Sequence, residues 1–352
     1  MKKCNICDHK SLIQIDFDNV FLRTESNKKD IHEYRNFLCE NCGVLNQYPQ
    51  MTNEALSKFY NLDYRNNDYK IEIKGKKFDF PLQFEQTGVS FQRFFFFQKI
   101  IERANLKLNE KNILDYGSYQ GAFLYACKKF YNSYTIGYDH NDNGLRFSKD
   151  YLDIDEIYKT KDINSDTFNK KIDMATLIHV FEHLKEPNKF LKHLHSNILS
   201  TNGFLYIEVP NIETTHLADP THCFLYSIKS LEFVLKKNNF EIVILEKNNL
   251  YNNQKNIINR KFQDNIHCLA KRVDKVDFNN LPLQGKVIYK EVKKSHNIIF
   301  NKFIFSKKKE FIINLFSLII LFISKFLSLF SPKISINFFE FIWKIKKYIK
   351  RL

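Results

Sequence analysis

The sequence predicts an α/β fold: a doubly wound, mostly parallel sheet, with a small cysteine-bearing ribbon in front and a helical tail behind. Three observations carry this expectation. Short β-like runs alternate with helical runs from about 110 to 273, two C-x-x-C pairs lie within the first 50 residues, and residues 286–352 are at once basic and strongly apolar. Strands alternating with helices imply βαβ units, a parallel sheet and helices on both faces. Right-handed crossovers then place ligands at the carboxyl ends of the strands.

The elements follow in order. Strands are expected at 112–116, 134–139, 172–178, 203–209, 240–246 and 266–271, with a further short one near Ile157. Helices are expected at 120–130, 143–151, 187–199 and 228–237, and a leading helical run at about 91–106. The segment 248–265 reads as loop, so the last two strands are expected to form an antiparallel hairpin at the sheet edge. The resulting division is a ribbon at 1–50, a linker and leading helix at 51–108, the α/β domain at 109–273 and the tail at 286–352.

A chain of 352 residues is long enough for about two domains. Its 44% apolar and 26% charged residues fit a packed core and exclude global disorder. The net charge of +15 looks like a nucleic-acid signal until it is located. Residues 286–352 hold 15 Lys/Arg against 3 Asp/Glu, leaving 39 against 36 in the rest. The charge is thus a property of the tail, and a nucleic-acid-binding face is not expected. Met1-Lys2-Lys3 runs straight into Cys4 with no apolar stretch, so a secretory signal is not expected. Seven Cys, an odd number, fit a reducing compartment and metal binding better than a disulfide framework. The expected location is the cytoplasm.

Cys4-Asn5-Ile6-Cys7 and Cys39-Glu40-Asn41-Cys42 form two knuckles. Four thiolates at this spacing suit a closed, structural, tetrahedral Zn²⁺ site of Cys4, Cys7, Cys39 and Cys42. The gap between the pairs is longer than usual, but a longer loop costs little extra closure entropy. Four unrelated buried thiols, or a redox C-x-x-C, are the alternatives. Cys127, Cys223 and Cys268 read as ordinary core or loop thiols.

The run Ile113-Leu114-Asp115-Tyr116-Gly117-Ser118-Tyr119-Gln120-Gly121 follows a strand and opens a helix. Gly117 allows a tight turn beside a ligand and Gly121 a close approach of helix to strand. The spacing is neither G-x-G-x-x-G nor a Walker A loop. About 20 residues on, the second strand ends at Asp139, where such folds bind ribose hydroxyls. A plain glycine turn with a solvent-facing Asp is the bland alternative.

On these residues, 110–273 resembles the class I S-adenosylmethionine (SAM)-dependent methyltransferases, which implies a Rossmann-like sheet. The family's first motif matches at Asp115, Gly117 and Gly121 and departs at Tyr119, where the family often has Gly. The resemblance implies that the loop of Asp115, Gly117, Ser118 and Gly121 holds the methionine part of SAM. By the same resemblance Asp139 holds the ribose and Asp162 lies near the adenine. The family's E-H-h-x-x-P signature matches at Glu182, His183, Leu184 and Pro187. His179 is expected just past the fourth strand, facing the ligand crevice, and His183 to pack at a helix start. The segment His222-Cys223-Phe224-Leu225-Tyr226-Ser227 resembles the H-x-x-x-[FY]-S segment of sugar methyltransferases. Their H-E-H set is represented here only by its last His. The run 39–48, continuing through Pro49 to Tyr60 and Tyr64, resembles the zinc-binding leader of sugar C-methyltransferases and related surface-polysaccharide enzymes. The [DNS]-P-P-[YFW] motif of nucleic-acid amino-methyltransferases has no match at the fourth strand, which argues against DNA bases as substrate.

Methyl transfer to oxygen needs alignment and a base, and a His suits that task near neutral pH. His222 and His179 are the candidates. Loop histidines that merely orient the loop or a helix cap are the bland alternative. In the tail, residues 311–330 are almost wholly apolar, with Asn314, Ser317, Ser324, Lys325 and Ser328 on one stripe of a helix. Residues 338–348 are basic and aromatic, suited to an anionic membrane surface. A span, or a helical pair packed on protein, are the competing readings.

The expected function is SAM-dependent methylation of a sugar, as a nucleotide sugar or membrane-linked glycan at the inner membrane face, with oxygen favoured over carbon. A lipid-quinone-type or other small-molecule O-methyltransferase, a nucleic-acid enzyme and a non-catalytic scaffold that keeps the SAM fold are the alternatives.

Overall fold

The computed structural model describes residues 2–15, 35–52, 54, 56, 70–73, 76–79, 84–215, 221–248, 264–278 and 285–292. These fall into two compact units. One comprises the described residues up to 53 and from 161 onward; the other runs from 54 to 160. The tail expectation lies outside the described residues, except for a helix over 285–292. Among the described residues no helix is long and apolar enough to cross a membrane.

The first unit begins with a ribbon that periodicity did not reveal. Strands β1 (Leu12–Ile15), β2 (Arg35–Cys39) and β3 (Leu45–Tyr48) pair antiparallel, with Leu12 opposite Cys39 and Leu38 opposite Leu45. Each strand is only four or five residues long, too short for an alternation signal.

The second unit contains a hairpin, β4 (Lys70–Ile73) with β5 (Lys76–Asp79), and helix α1 (Phe84–Arg103). Then come β6 (Asn112–Tyr116), α2 (Ala122–Tyr131), β7 (Tyr134–Asp139), α3 (Asp142–Leu152) and β8 (Glu156–Lys159). β6, β7 and β8 are parallel neighbours, in register from Asn112 with Tyr134 and from Ile136 with Glu156. This is the expected βαβαβ alternation. Helix α1 docks through rings: Phe94 lies 6.1 Å from Phe123 and 5.2 Å from Phe130 of α2. Burial of such a side chain contributes about 1.5–3 kcal/mol. Asn141 caps α3 by accepting from the Gly144 amide at 2.8 Å. Lys128, Thr135 and Asp155 tie α2, β7 and the entry to β8 together. Asp155 accepts from Lys128 Nζ at 2.8 Å and from the Thr135 amide and hydroxyl at 2.8 and 2.7 Å.

The first unit resumes with β9 (Ile172–Ile178), helix α4 (Pro187–His193), β10 (Leu199–Pro210), β11 (Phe224–Leu225), helix α5 (Ile228–Lys237), β12 (Phe240–Asn248) and β13 (Asn265–Arg272). β9 and β10 are parallel, while β10–β13 and β13–β12 are antiparallel, so this sheet is mixed, with β12 outermost. The expected terminal hairpin is present. β10 starts earlier than expected, because its pairing with β9 shifts register between Leu199 and Phe204. The expected helix 187–199 is α4 followed by a π turn over Leu194–Ile198. Ser227 and Ser230 form a reciprocal capping pair at the start of α5. The whole is a Rossmann-like α/β fold.

β11 pairs antiparallel with β3, so the ribbon is a four-stranded sheet in the order β1–β2–β3–β11. Its apolar seat unites Ile15, Leu38 and Leu45 of the ribbon with Ile212, Leu225, Ile288 and Val292. The last two residues belong to the helix over 285–292.

Candidate active site

The glycine turn lies in the second unit. Beyond β6 the Gly117 amide donates to the Tyr138 carbonyl at 2.8 Å, and the Gly121 amide to the Ser118 carbonyl at 2.8 Å. Gly121 is left-handed (φ +74°), and a Cβ there would fall 2.8 Å from the Ser148 Cβ. Both facts reserve the position for glycine. Tyr119 is also left-handed, φ +47°, which is why glycine is favoured at this point in such loops. Here the ring is accommodated by Gly144, where an added Cβ would lie 2.9 Å from Tyr119 Cδ2.

Asp139 is buried at the end of β7. One carboxylate oxygen accepts from the Tyr119 amide and the other from the Asn141 amide, both at 2.8 Å. His140 Nδ1 stands 3.2 Å from the oxygen that Asn141 contacts. Asp115 is 5% exposed and Ser118 8%, and the Ser118 hydroxyl is buried without a hydrogen-bond partner. A buried carboxylate at the end of β7 and an orphaned hydroxyl beside a strand-to-helix turn fit a ribosyl sulfonium cofactor such as SAM. Asp115, Gly117, Ser118, Gly121 and Asp139 are therefore together. Asp162, in the other unit, is exposed and accepts from the Asn164 amide at 3.0 Å and the Ser165 hydroxyl at 2.8 Å. The Asn164 amide holds its carboxyl below the usual range.

In the first unit, β9 delivers His179 at φ +54°, a conformation rare for a residue with a side chain and recurrent at functional sites. Its amide donates to the Glu208 carbonyl at 2.8 Å. Its ring stands between two fully buried carboxylates. Nε2 is 3.1 Å from Glu208 Oε1, and Nδ1 is 3.3 Å from Glu182 Oε1. Asn265 Nδ2 donates to the same Glu208 oxygen at 2.8 Å. Tyr206 and His267 back Glu208, with Tyr206 Oη 2.8 Å from His267 Nδ1, which is 3.6 Å from Glu208 Oε2.

Glu182 and His183 sit on the 3-10 turn Phe181–His183 that leads to Pro187 at the start of α4. His183 Nδ1 donates to the Thr221 carbonyl at 2.9 Å, and its ring lies 4.8 Å from that of His222. Burial pushes the Glu182 carboxyl up, but His179, His183 and His222 outweigh it and the net shift is downward. Glu208, Asn265 and His267 carry no sequence motif. The one available sign was a Glu inside the apolar run of β10.

The four cysteines converge. Cys4 and Cys42 sulfurs are 3.6 Å apart, those of Cys7 and Cys39 3.5 Å, and all four lie within 4.8 Å of one another. Sulfurs on a tetrahedral ion with bonds of ~2.3 Å stand ~3.8 Å apart, so the donor set fits such an ion. Asn46 joins the knuckles, accepting from the Asn5 amide at 3.1 Å and donating to the Val44 carbonyl at 2.9 Å. The Ile6 carbonyl accepts from Asn188 Nδ2 at 2.8 Å and from Lys237 Nζ. Cys127, Cys223 and Cys268 are buried thiols, and burial pushes Cys223 up to about 11.

Residues 90–245 match the family model described as a methyltransferase domain. This stretch of the chain is a methyltransferase domain. No curated protein matches it. Among solved structures, coclaurine N-methyltransferase bound to N-methylheliamine and SAH is similar at TM-score 0.41 and 13% identity, over 53% of this chain and 72% of its own. A SAM-dependent methyltransferase from Methanosarcina mazei is similar at TM-score 0.39 and 18% identity, over 47% of this chain and 95% of its own. An O-methyltransferase of a Brevibacillus brevis trans-AT PKS multienzyme, in complex with S-adenosyl-L-homocysteine, is similar at TM-score 0.40 and 12% identity, over 53% and 77%.

Proposed function

We propose that this methyltransferase methylates a sugar hydroxyl, with His179 as general base. The observation that carries the reading is the ring of His179 between Glu208 and Glu182. Carboxylates face both ring nitrogens; with Nε2–H directed at the nearer one, Glu208, Nδ1 is the basic nitrogen. A hydroxyl proton taken at Nδ1 creates an imidazolium flanked by two carboxylates. The buried Glu208, held by Asn265, orients the ring. When bound, SAM supplies an electrophilic methyl group. The Asp115–Gly121 turn and Asp139 would hold its methionine and ribose parts. A hydroxyl acceptor needs such a base, and the incomplete H-E-H set is what favours oxygen over carbon.

The sugar is supported by the cysteine leader and by the His222–Ser227 segment, both similar to parts of sugar methyltransferases. The four cysteines are read as a structural zinc site on the fit of their sulfurs; fully folded protein carrying under about 0.2 zinc per chain would sink that reading. The basic, apolar tail is read as an anionic-membrane anchor, which places the acceptor near that surface. Full-length protein should pellet with anionic vesicles and stay in solution with neutral ones.

The direct test is incubation with SAM and a panel of nucleotide sugars, reading products by mass spectrometry. A methylated sugar formed by the wild type and lost in His179→Ala supports the reading. Methylation confined to quinols or other non-sugar acceptors would replace it.

A further inference from the structure

Glu182 presents an unresolved demand. It has no exposed surface, and neither of its carboxylate oxygens accepts a hydrogen bond. Histidine nitrogens approach without satisfying it, His179 Nδ1 at 3.3 Å and His183 Nε2 at 3.9 Å. A buried carboxylate in that condition is costly unless paired with a cation or held by a metal.

The neighbouring imidazoles are prepared as ligands. Because His183 Nδ1–H donates to the Thr221 carbonyl at 2.9 Å, its Nε2 carries the lone pair and faces Glu182. Metal-bound histidines characteristically donate the other ring N–H to a carbonyl in this way. The same bond ties His183 to the residue before His222, whose ring lies 4.8 Å away. One ligand atom from each of Glu182, His183 and His222 falls within 4.8 Å of the others.

We propose that Glu182, His183 and His222 bind one divalent first-row transition ion, at a site separate from the four-cysteine cluster. Two imidazoles and one carboxylate suit Mn²⁺, Fe²⁺, Co²⁺ or Zn²⁺, whereas Ca²⁺ and Mg²⁺ favour all-oxygen shells. Bonds of ~2.1 Å bring tetrahedral ligands to ~3.4 Å from one another, so the three side chains need close by little more than an ångström. Three protein ligands leave positions open, and oxygen donors such as water or paired sugar hydroxyls are the class that fills them. In this arrangement His222 is a ligand rather than a base.

The test uses the full chain, treated with EDTA to remove metal other than that of the thiolate site, then dialysed against Co²⁺. Wild type should take up a single cobalt, with the weak visible bands of nitrogen and oxygen ligation and no thiolate charge-transfer band. His222→Ala should bind it at least about tenfold more weakly. His222 is partly exposed on a loop, so this variant keeps its fold; His183→Gln, which should also lose cobalt, is the second variant. His179→Ala should retain cobalt while losing turnover, so failure of this site is distinguishable from failure of the base assignment. No cobalt uptake by wild type, equal uptake by His222→Ala, or a thiolate band would overturn the proposal.

Discussion

The backbone amide of Gln47 donates to the carbonyl of Cys223 over 3.1 Å, joining the last strand of the cysteine ribbon to the residue beside His222. The next two residues, Phe224 and Leu225, pair with Asn46 and Leu45. The ribbon and the His222 segment are therefore joined through backbone bonds.

Loss of the cluster should therefore be felt at a distance. Cys42→Ser is expected to speed amide exchange at 221–226 while β6 and β7 stay protected, read by hydrogen-exchange mass spectrometry. Unchanged exchange at 221–226 would detach the ribbon from the site.

The turn at Gly121 should tolerate no side chain. Gly121→Ala adds a left-handed penalty of about 1–2 kcal/mol and a contact 2.8 Å from Ser148 Cβ. With overpacking of about 1–3 kcal/mol, the melting temperature should fall by several degrees and SAM affinity with it. A melting curve identical to wild type would show that α2 starts elsewhere.

The sequence carried the βαβ skeleton and, through its cysteine pairs, a ribbon at 1–50, but not the ribbon's strands. β6, β7 and β9 coincide with runs read from β-like periodicity, and α5 with an apolar stripe between a Ser cap and a pair of Lys. Those signals are local. β1, β2, β3 and β11 are two to five residues long and exist through pairing with distant strands, which no local period records. The site divides the same way. Gly117, Gly121 and Asp139 were legible because a turn demands them. Glu208, Asn265 and His267 meet across strands separated by 57 residues or more in sequence, so only their burial together reveals them. Asp162 was named through the family resemblance, and its carboxylate accepts from the Asn164 amide in its own turn.

His179 should be separable from binding. His179→Ala is expected to lower kcat by about 10²–10⁴-fold, leaving SAM affinity within a few-fold. Glu208→Gln should lower kcat in the same direction with KM nearly unchanged, since it positions the ring. Steady-state kinetics with a methylatable sugar checks both, and a kcat unaltered by His179→Ala would remove it from the mechanism.

Asp155 should make part of the stability depend on pH. Burial acts to raise its carboxyl, but Lys128 and the Thr135 amide and hydroxyl outweigh it and hold it below the usual range. A depressed folded pKa stabilises the fold above the unfolded value of about 3.9 and loses that contribution as pH falls through the folded value. Asp155→Asn should therefore cost about 1–2 kcal/mol near pH 7. The cost should shrink in acid, as read by denaturant melts at pH 7 and pH 3. A deficit that grew on acidification would reverse this sign.

The central claim is that the Asp115–Gly121 turn and Asp139 form the cofactor seat. Calorimetric titration of SAM into the full chain, and into Asp139→Ala shown to be folded by its melting curve, tests it most directly. Micromolar binding by the wild type and none measurable in the variant are expected. Equal binding by both, or none by the folded wild type, would contradict it.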